Sequence, residues 1–381
     1  MKIITFYLPQ FHEIKENNEW WGKGFTEWTN VKKAKPLFTG HNQPRIPENN
    51  NYYNLLNVDT IKWQADLAKK AGIYGFCFYH YWFDGHLLLE KPIELFLKNP
   101  EIDINFCLSW ANEDWTNAWV STSNKTLISQ TYGNKEQWKD HFDYLLKFFK
   151  DNRYIKEKGK PIFVIYRPEI IPCCNEMLDY WQELAKEAGL PGIKFAYQHV
   201  NFGMMKDKDD TRFDYQIEYQ PQYSKYINAS LKKGKLYSYK QKIDIFLQKY
   251  FHVSLDLSVL QSNKGPNQEN YDYIWKSILN QSPISDKSIP GAFVDWDNTP
   301  RRGSRGSLMV GVTPEKFGAY LKEQMRRSHL IYKKDMLFLF AWNEWAEGGY
   351  LEPDLKNGNK YLKGIRKAVD EYQNEFGSDK C

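Results

Sequence analysis

Short apolar or aromatic runs recur along the chain, each followed by polar and charged residues and then by a stretch with helical spacing. The runs fall at 3–8, 75–81, 104–110, 161–166, 194–199, 215–219, 291–296 and 336–342, and each reads as a strand. Between them, 59–72, 136–151, 176–189, 244–251 and 313–331 carry apolar residues at helical intervals, and 361–376 is expected as the last helix. Gly72 is a stop signal, while Thr313 followed by Pro314 offers an N-cap and a first helical residue. Eight strands alternating with helices predict an α/β fold, a (β/α)8 TIM barrel with elaborated loops. A doubly wound sheet is the alternative. Residues 13–58 and 220–290 are long for plain connections and are expected to be insertions carrying short helices or active-site loops. With no internal repeat, low-complexity tract or Pro/Gly linker, residues 1–381 read as one catalytic domain.

Composition changes this picture in one respect. Of 381 residues, 14 are Trp, 26 Tyr and 23 Phe, or 17% aromatic. Trp and Tyr carry polar atoms that want partners when buried, so many of these rings are expected to line a cleft. The 52 basic and 47 acidic residues leave +5, spread without a long basic block, which argues against a nucleic-acid partner. Five cysteines, an odd number without ligand spacing, argue against a disulfide framework and a zinc site. They fit a reducing compartment. Ile3–Leu8 is followed at once by Pro9, with no cleavage-site pattern, and no apolar span reaches membrane length. A cytoplasmic protein without metal or cofactor is expected.

In a (β/α)8 barrel the chemistry gathers where strands end, and here those ends share one character. The first offers Tyr7 and His12, the second His80, Tyr81 and Trp82, and the third Trp110, Asn112, Glu113 and Trp115. The fourth offers Tyr166 and Arg167, the fifth His199, the sixth Glu218, and the seventh Asp295, Trp296 and Asp297. The eighth ends Trp342-Asn343-Glu344. An aromatic ring beside a hydrogen-bonding group suits a polyhydroxylated ligand. The alternatives are bonded core histidines and tryptophans, a helix cap at 112–114, and a turn-capping Asp297. Arg301, Arg302 and Arg305 lie in a Gly/Ser-rich loop that reads either as an anion clamp or as a solvated surface.

Glu344 and Glu347 are the candidate reacting groups. A carboxylate crowded by another and by indoles is pushed towards its protonated form, and its partner stays ionised as base or nucleophile. That is the division of labour of glycosidases. The bland reading is a pair of acids favoured at a helix start.

Five motifs together resemble a known family. They are Tyr7-Leu8-Pro9-Gln10-Phe11-His12, Gly24-Phe25-Thr26-Glu27-Trp28, Tyr79-His80-Tyr81-Trp82, Ser109-Trp110-Ala111-Asn112-Glu113 and Ala341-Trp342-Asn343-Glu344-Trp345-Ala346-Glu347-Gly348. They are similar to WbsX-type proteins, which are encoded with bacterial surface-polysaccharide functions (O-antigen of lipopolysaccharide, or capsule) and are related to glycoside hydrolase family 99. The resemblance adds Glu27 and Trp28 to the substrate-binding candidates. It implies a retaining, metal-independent α-glycosidase barrel with Glu347 as general acid/base and Glu344 drawing the proton from the sugar 2-OH. That hydroxyl would attack C1 and form a 1,2-anhydro sugar, which requires a 2-OH trans to the leaving group, as in an α-mannoside or α-rhamnoside. Ala346 stands where family 99 has His, a departure that leaves the neighbouring subsite, and with it mannose specificity, open. The expected activity is hydrolysis or transglycosylation on an oligosaccharide or polysaccharide. WbsX-type proteins are commonly labelled glycosyltransferases, so nucleotide-sugar transfer is the first alternative, although no Gly-rich phosphate fingerprint or clear Asp-x-Asp is present. A non-catalytic carbohydrate-binding barrel is the second.

Overall fold

The computed structural model describes residues 1–116, 126–200, 209–232 and 265–377; the helix expected at 244–251, and Cys381, lie outside them. Eight parallel strands follow the expected cadence: β1 (Lys2–Tyr7), β2 (Gly75–Phe83), β3 (Asn105–Trp110), β4 (Lys160–Ile165), β5 (Lys194–His199), β6 (Tyr215–Glu218), β7 (Ser288–Ile289 and Gly291–Phe293) and β8 (Met336–Phe340). β1 sits between β2 and β8, with Ile4 opposite Gly75 on one side and Phe338 on the other.

The sheet closes through β7. Ser288 and Ile289 pair with Gln216 and Ile217 of β6, whereas Gly291–Phe293 pair with Phe338–Phe340 of β8. Pro290, between the two halves, has no N–H to give a neighbour, and its carbonyl accepts from Phe338 N at 3.3 Å. Gly291 is required at this crossing, because a Cβ there would lie 1.8 Å from the Glu218 carbonyl oxygen. Both edges of the sheet therefore meet in one strand. The fold is a (β/α)8 barrel, and the doubly wound alternative is excluded.

Helices Val58–Ala71, Lys91–Lys98, Lys135–Phe149, Cys174–Glu187, Gln222–Lys232, Tyr271–Asn280, Pro314–Leu330 and Lys360–Phe376 accompany the strands. Thr313 caps the Pro314 helix by accepting from Lys316 N at 3.2 Å. Three of these helices match none of the expected ranges: Lys91–Lys98, and Gln222–Lys232 and Tyr271–Asn280, which fall within the 220–290 stretch expected only to carry short helices or loops. Among the described residues no helix is long and apolar enough to cross a membrane.

The aromatic surplus lies largely in the core. Inside the barrel the Phe6 ring meets Tyr79 at 5.7 Å, Tyr219 at 5.3 Å and Phe338 at 5.6 Å between centroids. Trp110, Trp181, Trp275, Trp342 and Trp345 are among the largest fully buried side chains. Two short helices, Lys15–Trp21 and Glu27–Lys33, fold from the first insertion onto the mouth where the strands end. Glu27 N donates to Gln10 O at 2.9 Å, Leu55 N to Phe11 O at 3.1 Å, and the Trp28 indole to Tyr53 O at 2.8 Å.

Candidate active site

The site begins where β8 runs out. Asn343 pins the end of β1, accepting from Leu8 N at 2.8 Å and donating to Leu8 O at 3.0 Å. Asn343 and Glu344 then pair antiparallel with Tyr350 and Gly349 around a single turn, Trp345–Glu347. Gly348 ends that turn at φ 74°, a left-handed position where a Cβ would lie 2.7 Å from Asp297 N. Trp345 packs into the fold, its ring stacked on Tyr350 at 3.8 Å and near Trp28 at 5.4 Å. Glu352 anchors this layer by accepting from Trp345 Nε1 at 2.6 Å, Trp342 Nε1 at 3.1 Å, Tyr53 Oη at 2.8 Å and Gln64 Nε2 at 2.6 Å.

Glu344 and Glu347 meet the guanidinium of Arg301. Nη1 lies 2.5 Å from Glu347 Oε1, Nη2 lies 3.4 Å from Glu344 Oε2, and Nε lies 3.0 Å from Glu27 Oε1. Arg301 rides on the turn Thr299–Arg302, with Pro300 in its first helical positions. Asp297 holds that turn by accepting from Thr299 N at 3.1 Å and Thr299 Oγ1 at 2.6 Å. Its other oxygen accepts from Gln43 Nε2 at 2.7 Å and meets His41 Nε2 at 3.0 Å. Asp297 N also donates to Glu347 O at 2.7 Å, so one residue fixes both the cation and the turn of the acid it contacts.

Burial raises the Glu344 carboxyl well above the usual carboxylate range, and the charge of Glu347 adds to this against the pull of Arg301. Burial likewise raises Glu347, with Arg301 opposing. Three acids around one permanently charged guanidinium would carry a net charge of −2 if all were ionised. Two like charges about 4 Å apart repel by about 4 kcal/mol at an effective dielectric of about 20, so the cluster retains a proton readily.

A solvent-open cleft of about 1130 Å³ lies over this cluster. Of the expected site residues, Glu27, Tyr81, Glu113, Trp115, Tyr166, Trp296, Glu344 and Glu347 line it together. Arg301 also lines it, paired with acids from other segments where the sequence left open an anion clamp or a solvated surface. The lining is completed by Leu8, Gln10, Phe25, Tyr79 and Ala111, which lie in the quoted motifs but were not singled out as candidates, by Asp114, read only as part of a helix cap, and by Trp21, Asn30, Val200, Tyr219 and Gln222. The Trp20-Trp21 pair in an otherwise polar stretch was the available signal for one of them.

The other candidates are not among the described lining residues. Tyr7 donates to Gln64 at 2.6 Å, Trp28 to Tyr53 O, and Trp110 to Trp82 O at 3.3 Å. Trp342 is tied to Glu352, and Asn343 is the pin on β1. Trp82 stacks on His141 at 4.5 Å, and His80 bonds the same imidazole at 2.9 Å. His12 bonds Pro9 O at 3.0 Å, and His199 bonds Gln216. Burial lowers His80 to about 3, and His12 and His199 to about 4; all three are neutral near pH 7. Asn112 exchanges two 2.8 Å bonds with the Arg167 backbone, and Arg167 pairs with Glu113 and Glu169. Glu218 accepts from Tyr332 at 2.8 Å. Asp295 meets Arg45 at 2.8 Å, and Asp297 is the hub described above. These side chains spend most of their polar atoms on the scaffold, although His12 Nε2 and Glu218 Oε1 are buried without a hydrogen-bond partner among the described residues.

Among the described residues no three His, Cys, Asp or Glu side chains are arranged to hold a metal ion. The fold is shared with solved structures. A family 99 endo-α-mannosidase from Bacteroides thetaiotaomicron, solved with bis-tris-propane, superposes with a TM-score of 0.53 at 13% identity, covering 99% of this chain and 98% of that one. A glycoside hydrolase-like protein superposes with a TM-score of 0.54 at 12% identity, covering 96% and 93%. At such identities the likeness establishes the barrel alone. The chain belongs to the WbsX glycosyltransferase family, which matches residues 3–365. The WxcX protein of Xanthomonas campestris pv. campestris strain B100 is 32% identical over 373 residues, covering 96% of this chain and 49% of the relative. The chain thus spans about half the length of the curated relatives it matches.

Proposed function

We propose that this chain is a carbohydrate-active enzyme acting on an α-glycosidic bond of a bacterial surface polysaccharide, as a retaining hydrolase or transglycosylase. One observation carries the reading. Two buried carboxylates project from one turn at the barrel mouth onto a shared guanidinium, under a cleft walled by Tyr79, Tyr81, Trp115, Tyr166, Tyr219 and Trp296. Aromatic faces suit the C–H faces of sugar rings, and paired acids with raised proton affinity suit glycosidic chemistry. Residues 1–381 act as one catalytic domain, and the free cysteines Cys77, Cys107, Cys173 and Cys174 agree with a cytoplasmic setting.

In the first step the sugar O2 attacks C1 as its proton passes to Glu344, and the departing glycosidic oxygen takes a proton from Glu347. In the second, water or another sugar hydroxyl attacks C1 of the anhydro sugar. Its proton returns to Glu347 while Glu344 reprotonates O2, and two inversions retain configuration.

The family name favours the second reading, a nucleotide-sugar transferase. Against it, the described lining holds Glu27, Glu113, Asp114, Glu344 and Glu347 with Arg301 as its cation, a poor environment for a diphosphate. The test sets aryl α-mannosides and α-rhamnosides against a nucleotide-sugar panel, with Glu344→Gln and Glu347→Gln as controls. Turnover of the aryl glycosides, reduced by at least about 10²-fold in each variant, supports the proposal. Turnover of nucleotide sugars alone refutes it.

A further inference from the structure

Glu27 reaches the site from a part of the chain that contributes neither Glu344 nor Glu347. Its helix, Glu27–Lys33, packs on the turn Trp345–Glu347 and on the Arg301 turn. The Glu27 side chain is 2% exposed, and Arg301 Nε is 3.0 Å from its Oε1. The guanidinium therefore spends its Nε edge on Glu27 and leaves one amino nitrogen each for Glu344 and Glu347. Without Glu27 the same cation would face two acids; with it, it faces three.

We propose that Glu27 is a positioning residue of the active site, which shares Arg301 with Glu344 and Glu347 and thereby favours retention of a proton by that pair. It acts in two ways. It orients the fork of Arg301, since a guanidinium held at Nε by Glu27 presents one amino nitrogen to Glu347 and the other to Glu344. It also adds a negative charge that disfavours ionisation of the pair, and both carboxyls feel it in that direction.

The other groups facing the cluster do not take over this role. Arg302 pulls Glu347 the opposite way. Lys33 faces Glu27 and is itself lowered by burial. Tyr79, Tyr81, Tyr166 and Tyr219 surround the cleft, and burial raises each hydroxyl, so none ionises near neutrality.

The proposal rests on reading Glu344 and Glu347 as the reacting pair, but its test needs no turnover and can fail independently of that reading. Infrared spectroscopy of the full chain across a pH series follows the protonated-carboxyl stretch. Glu218, raised to about 8, and Glu352, raised to about 7, also contribute, so the cluster's band is assigned as the one lost in Glu344→Gln or Glu347→Gln. In Glu27→Gln that band is expected to disappear at a pH lower by about one unit or more. Glu27→Asp, which keeps the charge, is expected to stay near the parent. Arg301→Gln is expected to move the transition upward, an independent check if Glu27→Gln does not fold. A transition that Glu27→Gln leaves in place, or that Glu27→Asp shifts as far as Glu27→Gln does, overturns the proposal. A merely structural role for Glu27 would lower the melting temperature and leave the transition where it was.

Discussion

Glu352→Gln changes a side chain that is 2% exposed and accepts from two indoles, a phenol and a carboxamide. Burial raises its carboxyl from 4.5 to about 7, and the four donors limit that rise. The native state therefore holds this proton to about pH 7, whereas the unfolded chain releases it near 4.5. Between those values the folded protein binds more protons than the unfolded one, so the stability Glu352 contributes falls as pH rises. The loss is complete above about pH 7. At about 1.4 kcal/mol for each tenfold change in proton affinity, it amounts to about 3 kcal/mol.

The amide variant lacks this titration. At about pH 4.5 both side chains are neutral, and Gln costs about 1–3 kcal/mol because its amino group faces the Trp345 and Tyr53 donors and leaves one unsatisfied. Above pH 7 the parent has lost its advantage, so the two proteins are expected to converge or exchange order. Urea unfolding of both proteins at a series of pH values measures the difference directly, because other titrations cancel in the comparison. A difference that is constant from about pH 4.5 to above 7 would refute the reasoning.

Other outcomes follow from single contacts. Gly291→Ala places a methyl group 1.8 Å from the Glu218 carbonyl; separating β6 from β7 is expected to cost about 3 kcal/mol or more, and an unchanged urea midpoint would contradict the closure described. Asp297 is pulled well below the usual carboxylate range by His41, Arg45, Thr299 and Gln43 in spite of burial. Its stabilisation is present above its unfolded value, near 3.8, and is lost as pH falls through the lower folded value. Asp297→Asn is expected to lose about 3–5 kcal/mol at pH 7 and to flatten the acid limb of stability. An acid limb identical to the parent's argues against the hub.

The barrel was legible because its strands are short buried runs alternating with helical stretches, and those runs became β1 to β8. β7 departs from its expected range in an instructive way. After Phe293 the chain leaves the sheet, because Asp295 and Asp297 turn to Arg45, His41 and Gln43, some 250 residues earlier in the sequence. No local pattern announces such partners. The same limit governs His80, whose partner His141 sits on another element. It governs Arg301 as well: a Gly/Ser-rich basic loop suggests an anion, and only the fold shows that Glu27, Glu344 and Glu347 are already there. The helices Gln222–Lys232 and Tyr271–Asn280 were not placed for a simpler reason, since they lie in a stretch read as an insertion carrying short helices or loops. Aromatic content misled in part, because rings fill the barrel interior as well as the cleft.

The contacts of Arg301 bear on how the two acids divide their work. Its 2.5 Å contact is to Glu347 and its 3.4 Å contact to Glu344, so the ion pair favours charge on Glu347 and leaves the proton to Glu344. The roles implied by the family resemblance are the reverse, with Glu347 donating a proton and Glu344 accepting one. A bound glycan reconciles the two. A sugar 2-OH donating to Glu344 stabilises its ionised form, and a glycosidic oxygen accepting from Glu347 stabilises its protonated form. Each new bond favours moving one proton from Glu344 to Glu347 inside the cluster. If Glu344 and Glu347 are the reacting pair as proposed, the free protein rests in the unreactive arrangement until a ligand offers both groups at that spacing. The infrared band decides the premise: lost in Glu344→Gln, it places the resting proton on Glu344; lost only in Glu347→Gln, it shows that the acid is already armed and that Arg301 exerts less pull than its distance implies.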